Sequence, residues 1–251
     1  MRILGSLAVL CLLLPADARA EWRLGASIEY FGWREDTAPI TVREGGPLFA
    51  LRTGLSHPLG GGFLADYRGR FYLGEVSYDG SLLFSPSVPA TGSTRYLGTT
   101  LQGQLRHGVG PYLDAVAGLD LDVWHRRLGT SQVEDYRIVS VRFGAEHAPT
   151  EQAPWMAGAG LKHTLATHEN AHLTVLGFDQ NPPLQPGSST TPYLELGYSF
   201  ARHWSLVGSI DGFDFGRSNQ VVLSQGSTRS ITYQPATTMR LVGLRLEYRP
   251  D

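Results

Sequence analysis

Three sets of residues in this sequence have the types and spacing to do chemistry. Asp120 and Asp122 are two positions apart, and His168 and His172 follow further along. A carboxylate pair can hold a water while a histidine accepts its proton, which is what peptide hydrolysis by an activated water requires. His203 and Ser205 are also two apart, a spacing that could set a base beside a hydroxyl nucleophile. Asp120, Asp122, His125 and Asp135 carry ligand atoms suited to a metal. Each set works only if its members reach one point, so the elements that carry them decide the matter.

Those elements read as strands. Trp22, Leu24, Ala26, Ile28 and Tyr30 share one face, with Arg23, Ser27 and Glu29 on the other. This period of two is the signature of a strand, whose successive side chains point to opposite faces. The pattern recurs about ten times. Phe63, Ala65, Tyr67, Phe71 and Leu73 oppose Asp66, Arg68 and Arg70; Leu113, Ala115, Leu119 and Leu121 oppose Asp114, Asp120 and Asp122. Segments around Phe49–Leu55, Leu97–Leu105, Val139–Ala145, Trp155–Leu165, Leu194–Phe200, Trp204–Ile210 and Val242–Tyr248 repeat it, with Arg142, Glu146, Lys162 and Glu195 on polar faces. The apolar faces of these segments hold no Asp, Glu, Lys or Arg. A charge on a lipid-facing strand costs about 2–4 kcal/mol at mid-membrane, and selection against that cost yields this absence.

The first twenty residues read as a secretory leader: Met1-Arg2, an apolar run from Ile3 to Leu14, then Ala18-Arg19-Ala20 as an exit for signal peptidase. The expected domains are therefore a signal peptide over 1–20 and a barrel over 21–251. Cleavage removes Arg2, Arg19 and Asp17 and moves the formal net charge from −2 to −3, which leaves no basic footprint for nucleic acid. Cys11, the sole cysteine, falls within the leader after the bulky Leu10, which argues against a lipid anchor. Past residue 20 no apolar run approaches the roughly 18 residues of a spanning helix.

Connectors alternate in expected length. Short links are read at His57–Gly60, His107–Gly110, Ala148–Ala153 and Ala201–Arg202, and long ones at Glu35–Gly46, Ser77–Thr94, Arg126–Glu134, Thr167–Thr190 and Gly216–Ala236. Aromatic residues gather at both strand ends: Trp22, Phe63, Trp155, Phe200, Trp204 and Tyr248 at one, and Tyr30, Phe49, Phe71, Trp124, Tyr136 and Tyr193 at the other. Interfacial belts of this kind are expected of a barrel in lipid. In these features the chain resembles the small Gram-negative outer-membrane β-barrels, the opacity-type and porin-like surface proteins, over essentially all of residues 21–251. The resemblance implies an all-β fold, a single transmembrane antiparallel barrel of about ten strands with short periplasmic turns and long extracellular loops. It also implies contact with outer-membrane lipid and lipopolysaccharide, and insertion by the barrel-assembly machinery. Those proteins usually end on an aromatic residue, whereas Arg249-Pro250-Asp251 follows Tyr248 here.

Parity turns Asp66, Arg68, Arg70, Asp114, Asp120, Asp122, Arg142, Glu146, Lys162 and Glu195 inward as a lumen charge network. Acids and bases nearly balance, and a ten-stranded interior is narrow enough for paired side chains to fill. The expected function is a non-enzymatic surface structural or interaction protein with a polar plugged lumen, whose two longest links, polar and mobile, meet an extracellular ligand. A narrow channel for small solutes is the alternative. Hydrolases are less favoured. Ten-stranded barrels include the omptin proteases, but no omptin motif surrounds Asp120, Asp122, His168 and His172. Outer-membrane lipid A deacylases carry a His-x-Ser pair facing lipid, while parity points His203 and Ser205 inward at the periplasmic end. His125 falls on the opposite face from the Asp pair, so no metal site and no cofactor is expected.

Overall fold

Side-chain alternation builds long strands whose registers keep like faces together. The computed structural model describes residues 20–82, 85–129, 132–150 and 153–250. The expected leader, with Cys11, lies outside the described residues apart from Ala20. Along the rest run β1 (Glu21–Glu35), β2 (Val42–Gly60), β3 (Phe63–Leu82), β4 (Ser85–Gly110), β5 (Leu113–Leu128), β6 (Val133–His147) and β7 (Trp155–Ala171). They are followed by β8 (Pro183–Leu184), β9 (Thr190–Ala201), β10 (Trp204–Phe215), β11 (Val221–Gln225), β12 (Thr228–Thr232) and β13 (Thr237–Tyr248). Strands β1 to β7, β9, β10 and β13 pair antiparallel, neighbour to neighbour, and β1 meets β13 to close the ring. The short β8 pairs with the end of β7, and β11 with β12 makes a separate hairpin.

Ile28 stands opposite both Phe49 and Leu244, so the apolar faces stay aligned around the barrel. A slip of one residue would turn the charged face outward, which makes this register strongly specified. The outward faces carry large apolar side chains that remain exposed, such as Tyr30 (63%), Leu51 (66%) and Trp155 (63%). A continuous apolar belt of this extent belongs against hydrocarbon. It ends at Tyr30, Phe49, Leu73 and Leu97; beyond these, the exposed residues Arg34, Arg43, Glu75 and Arg95 replace it. The strands continue past that edge.

That overrun corrects the expected connectors. Much of Glu35–Gly46, Ser77–Thr94 and Arg126–Glu134 is strand, with β3 and β4 paired as far as Leu82 and Ser85. Likewise β7 runs to Ala171, so His168 belongs to a strand and not to a loop. At the turn end, β2 and β4 continue through His57–Gly60 and His107–Gly110. Gly60, Gly61 and Gly62 then turn the chain with φ of 86°, 61° and 79°, angles open to glycine at little steric cost.

The two longest links are not independent loops. Ala171, Leu173 and Leu223 form a small buried cluster with Leu176, Phe178 and Val221 packed against it. The Asp179 N–H donates to the Ser224 carbonyl (2.9 Å), the Ser224 N–H to Asp179 Oδ1 (2.9 Å) and the Gln185 N–H to Asn219 Oδ1 (2.7 Å). Polar residues that suggest mobile loops thus satisfy backbone groups of a neighbouring segment. Together the links form one cap over the barrel mouth.

Inward-facing glycines make room for rings. Tyr193 of β9 lies against Gly160 of β7 and Gly144 of β6, and a Cβ on either glycine would overlap its hydroxyl. Gly160→Ala should lower stability by about 1–3 kcal/mol, because the added Cβ meets the Phe143 carbonyl oxygen on β6 as well as Tyr193, whose ring would leave its place under Arg142. The urea midpoint in detergent, followed by tryptophan fluorescence, measures it; an unchanged midpoint would show that the ring relocates freely.

Candidate functional site

The interior is the place where sequence-predicted residues converge, and it is stacked in layers. Nearest the turn end, Arg68 reaches Asp66 (2.8 Å), Glu146 (3.1 Å) and Glu195 (3.6 Å) at once. Arg23 shares Asp66, Arg106 bridges Asp114 (2.7 Å) and Glu146 (3.5 Å), and Arg245 binds Glu195 (3.3 Å). A second tier follows. There Glu29 accepts from Arg52 (2.7 Å) and from Arg70, Arg142 binds Asp120 (2.8 Å) and Asp211 (3.2 Å), and Lys162 binds Asp211 (2.6 Å). Nine of the ten predicted network residues thus sit in ion pairs. The tenth, Asp122, accepts from Thr100 Oγ1 (2.6 Å) and leaves Oδ2 without a partner among the described residues. Buried charges persist only when paired in this way. Between these side chains lies a cavity of about 90 Å³, the share of about three waters.

Above the charges comes a layer that the sequence reading missed. Phe31, Trp33, Tyr96, Trp124, Tyr136, Phe213 and Phe215 are buried inside the barrel. Trp124 stacks on Tyr136 (5.0 Å), Tyr136 meets Trp33 edge-on (5.9 Å), and Phe213 stacks on Phe215 (5.4 Å). Trp124, Tyr136 and Tyr193 therefore do not join an outer aromatic belt; Tyr30, Phe49 and Phe71 alone of that expected group face outward. On β5 the outward positions end with Leu121 and Val123, so the even-numbered Trp124 points in. Cations clamp the layer from below: Arg70 over Tyr72 (3.9 Å), Arg142 over Tyr193 (4.1 Å) and Lys162 over Phe213 (3.7 Å). From above, Arg126 lies over Trp33 (4.9 Å).

Arg126 anchors a third layer, also unread from the sequence, beyond the end of the apolar belt. It is 1% exposed and binds Glu35 (3.3 Å), Glu134 (2.7 Å) and Glu44. Trp33 Nε1 donates to Glu35 (2.8 Å) and the Tyr136 hydroxyl to Glu134 (3.1 Å). Burial pushes the Glu35 carboxyl above its usual range, with Arg126 opposing and Glu134 and Glu44 adding to the rise.

The chemistry-bearing sets do not assemble. Asp120 and Asp122 lie midway along β5, opposite Gln102 and Thr100. His172 is engaged elsewhere: its Nε2 and His125 Nδ1 each hydrogen-bond Asp135 (2.7 Å) on the outside of the sheet. Burial raises the Asp135 carboxyl, but hydrogen bonds from the two histidines outweigh this and hold it below its ordinary value. Ser205 is buried against Ser199 (2.8 Å), while His203 Nδ1 donates to the Arg249 carbonyl (2.9 Å).

A closed antiparallel ring, an apolar girdle and a filled polar interior define the architecture. The fold is that of an outer-membrane β-barrel. The outer-membrane protease OmpT of Escherichia coli is similar to it at 10% identity, with 92% of this chain and 96% of that one covered and a TM-score of 0.55. An outer-membrane channel of Pseudomonas putida F1 matches at 9% identity over 95% of this chain and 100% of the other, with a TM-score of 0.46. The translocator domain of the autotransporter NalP from Neisseria meningitidis matches at 10% identity over 98% and 94%, with a TM-score of 0.45. No protein-family model matches the sequence, and no curated protein aligns with it significantly. At such identities the likeness is one of fold.

Proposed function

We propose that this barrel resides in the outer membrane of a Gram-negative bacterium as a closed, non-enzymatic surface protein whose capped outer end meets a ligand. In this reading the turn end faces the periplasm and the cap faces outward. The observation that carries it is the stacked interior: paired charges and an aromatic layer cross the lumen, with a cavity of about 90 Å³ between them and one of about 240 Å³ at the turn end. A hydrated solute needs a continuous path through both layers. The leader expected over residues 1–20 supports export, and subcellular fractionation with heat-modifiable gel migration tests compartment and closure together.

Refolded protein in a planar bilayer should give silent traces, whereas discrete conductance steps would support a narrow channel instead. The enzyme alternatives have their own check. Incubated with a dibasic peptide or with lipopolysaccharide, wild type and Asp120→Asn should both leave the substrate intact. Turnover by wild type that the substitution abolishes would overturn the non-enzymatic reading.

A further inference from the structure

The outer end holds a second cavity, of about 260 Å³, for which the filled lumen has no use. Its floor is acidic. Glu35, Glu134 and Glu169 line it, and Arg126 is the basic residue of the lining. The guanidinium contacts of Arg126 go to Glu35, Glu134 and Glu44, and Glu169 has the Tyr136 hydroxyl for a partner but no cation. Glu169 is 1% exposed, and its Oε2 has no hydrogen-bond partner among the described residues. Burial, then the neighbouring Glu134 and Glu35, push its carboxyl well above the carboxylate range, with Arg126 opposing. Four buried carboxyl groups around one cation make a site that is short of positive charge, and of their buried oxygens Glu169 Oε2 is the one that lacks a donor among the described residues.

The walls have the opposite character. Tyr78, Leu173 and Leu184 are buried in them, and Leu82, Ile231 and Tyr233 stand exposed beside the opening. These last three lie beyond the lipid belt, so their apolar surface meets water, where exposed apolar patches mark contact sites. Among the described residues no three ligating side chains are placed to hold a metal ion, and a bare ion would leave the walls unused. By a water's share of about 30 Å³, the space admits roughly nine water-sized groups.

We propose that this vestibule binds a small organic cation, a primary ammonium or guanidinium carried on an apolar body. The proposal deepens the closed-barrel reading, since a lumen blocked by the two layers below makes the space a pocket and not a passage. The cationic head donates to Glu169 Oε2 and shares the charge of Glu35 and Glu134, while the body lies against Leu184, Tyr78 and Ile231. A free amine and the side chain of an arginine-bearing peptide present the same chemistry.

The test uses the refolded barrel in detergent, titrated with 2-phenylethylamine, with its uncharged counterpart 2-phenylethanol, and with a blocked peptide containing one arginine. Calorimetry and the fluorescence of Trp33, hydrogen-bonded to Glu35, report binding. Saturable one-to-one binding of the amine or the peptide, about tenfold tighter than the alcohol, is expected, and whichever saturates names the source. Glu169→Gln keeps the shape and loses the ionisable group, so affinity should fall about tenfold. Ile231→Trp at the exposed rim should obstruct entry to a similar degree without touching the interior. Glu75→Gln, on the outward face, should change nothing. Equal binding of amine and alcohol, or full affinity in both vestibule variants with heat-modifiable migration intact, overturns the proposal. Silent bilayer traces with no cation binding remove the vestibule site alone; conduction removes the closed-barrel reading and leaves the titration to stand by itself.

Discussion

Arg126→Ala should destabilise the barrel by about 3–5 kcal/mol at neutral pH, among the largest single-residue effects expected in the molecule. The side chain is 1% exposed and touches Glu35, Glu44 and Glu134, and its removal leaves buried carboxylates with no counter-charge. It also takes the cation from over Trp33. The deficit should depend on pH with a definite sign. Glu35 and Glu169 already titrate above their usual range in the folded protein, and Arg126 is among the groups that hold both down. Removing it lifts their folded values further above those of the unfolded chain, near 4.3. Groups shifted this way add stability below the unfolded value and lose it as pH rises through the folded one. The gap between variant and wild type should therefore be wide at pH 7 and narrow toward pH 4. Arg126→Lys keeps a charge but not the planar fork that serves three carboxylates, so it should fall between the two. Urea unfolding across pH, followed by tryptophan fluorescence, measures all three proteins. A wild-type midpoint for the alanine variant at pH 7 would mean that the acids relax into water and that the third layer is not tightly built.

Why the charge layer could be read from the sequence and the two layers above it could not follows from where β1 crosses the edge of the lipid belt. From Trp22 to Tyr30 the apolar side faces out and Arg23, Ser27 and Glu29 face in, so a fixed rule of greasy-out finds the strand. Three residues later the sense inverts: Trp33 is buried inside and Arg34 points into water. The same inversion pairs Tyr96 with Arg95 on β4 and Tyr136 with Arg137 on β6. Outside hydrocarbon a barrel obeys the ordinary soluble rule, apolar in and polar out. Alternation persists through the crossing, but the face it marks changes, and a reading that holds the face fixed ends each strand at the membrane edge. Hence Arg126–Glu134 looked like a loop, and Trp124 and Tyr136 looked like belt residues. The charge network was legible by parity alone, because Arg68 and Glu146 lie opposite the apolar face of their own strands and that face meets hydrocarbon. Their partnership was not, since Arg68 and Glu195 meet across the barrel through its curvature and stagger. The cap was least legible. Gln180 Nε2 donates to the Val222 carbonyl (3.1 Å) across 42 positions, in segments with no periodicity to read.

Layered filling also predicts how the lumen opens. The turn-end charges and the aromatic layer lie one after the other along the barrel, so each by itself should block conduction. Arg68→Ala clears the centre of the first layer, and the geometry shows why the barrel should survive it: Asp66 keeps Arg23, Glu146 keeps Arg106 and Glu195 keeps Arg245. Trp124→Ala opens the second layer beside the 90 Å³ cavity, at about 3–5 kcal/mol of stability. Either substitution alone should leave bilayer traces close to silent, because the other layer still separates the two ends. Together they should give discrete conductance steps, a result larger than any sum of the single effects. This non-additivity is the diagnostic, as it is for any two elements that act on a shared path. If Arg68→Ala alone conducts, the aromatic layer is leaky and the seal is purely electrostatic. If the double variant stays silent while heat-modifiable migration shows it folded, the Arg126 layer and the cap close the outer mouth on their own.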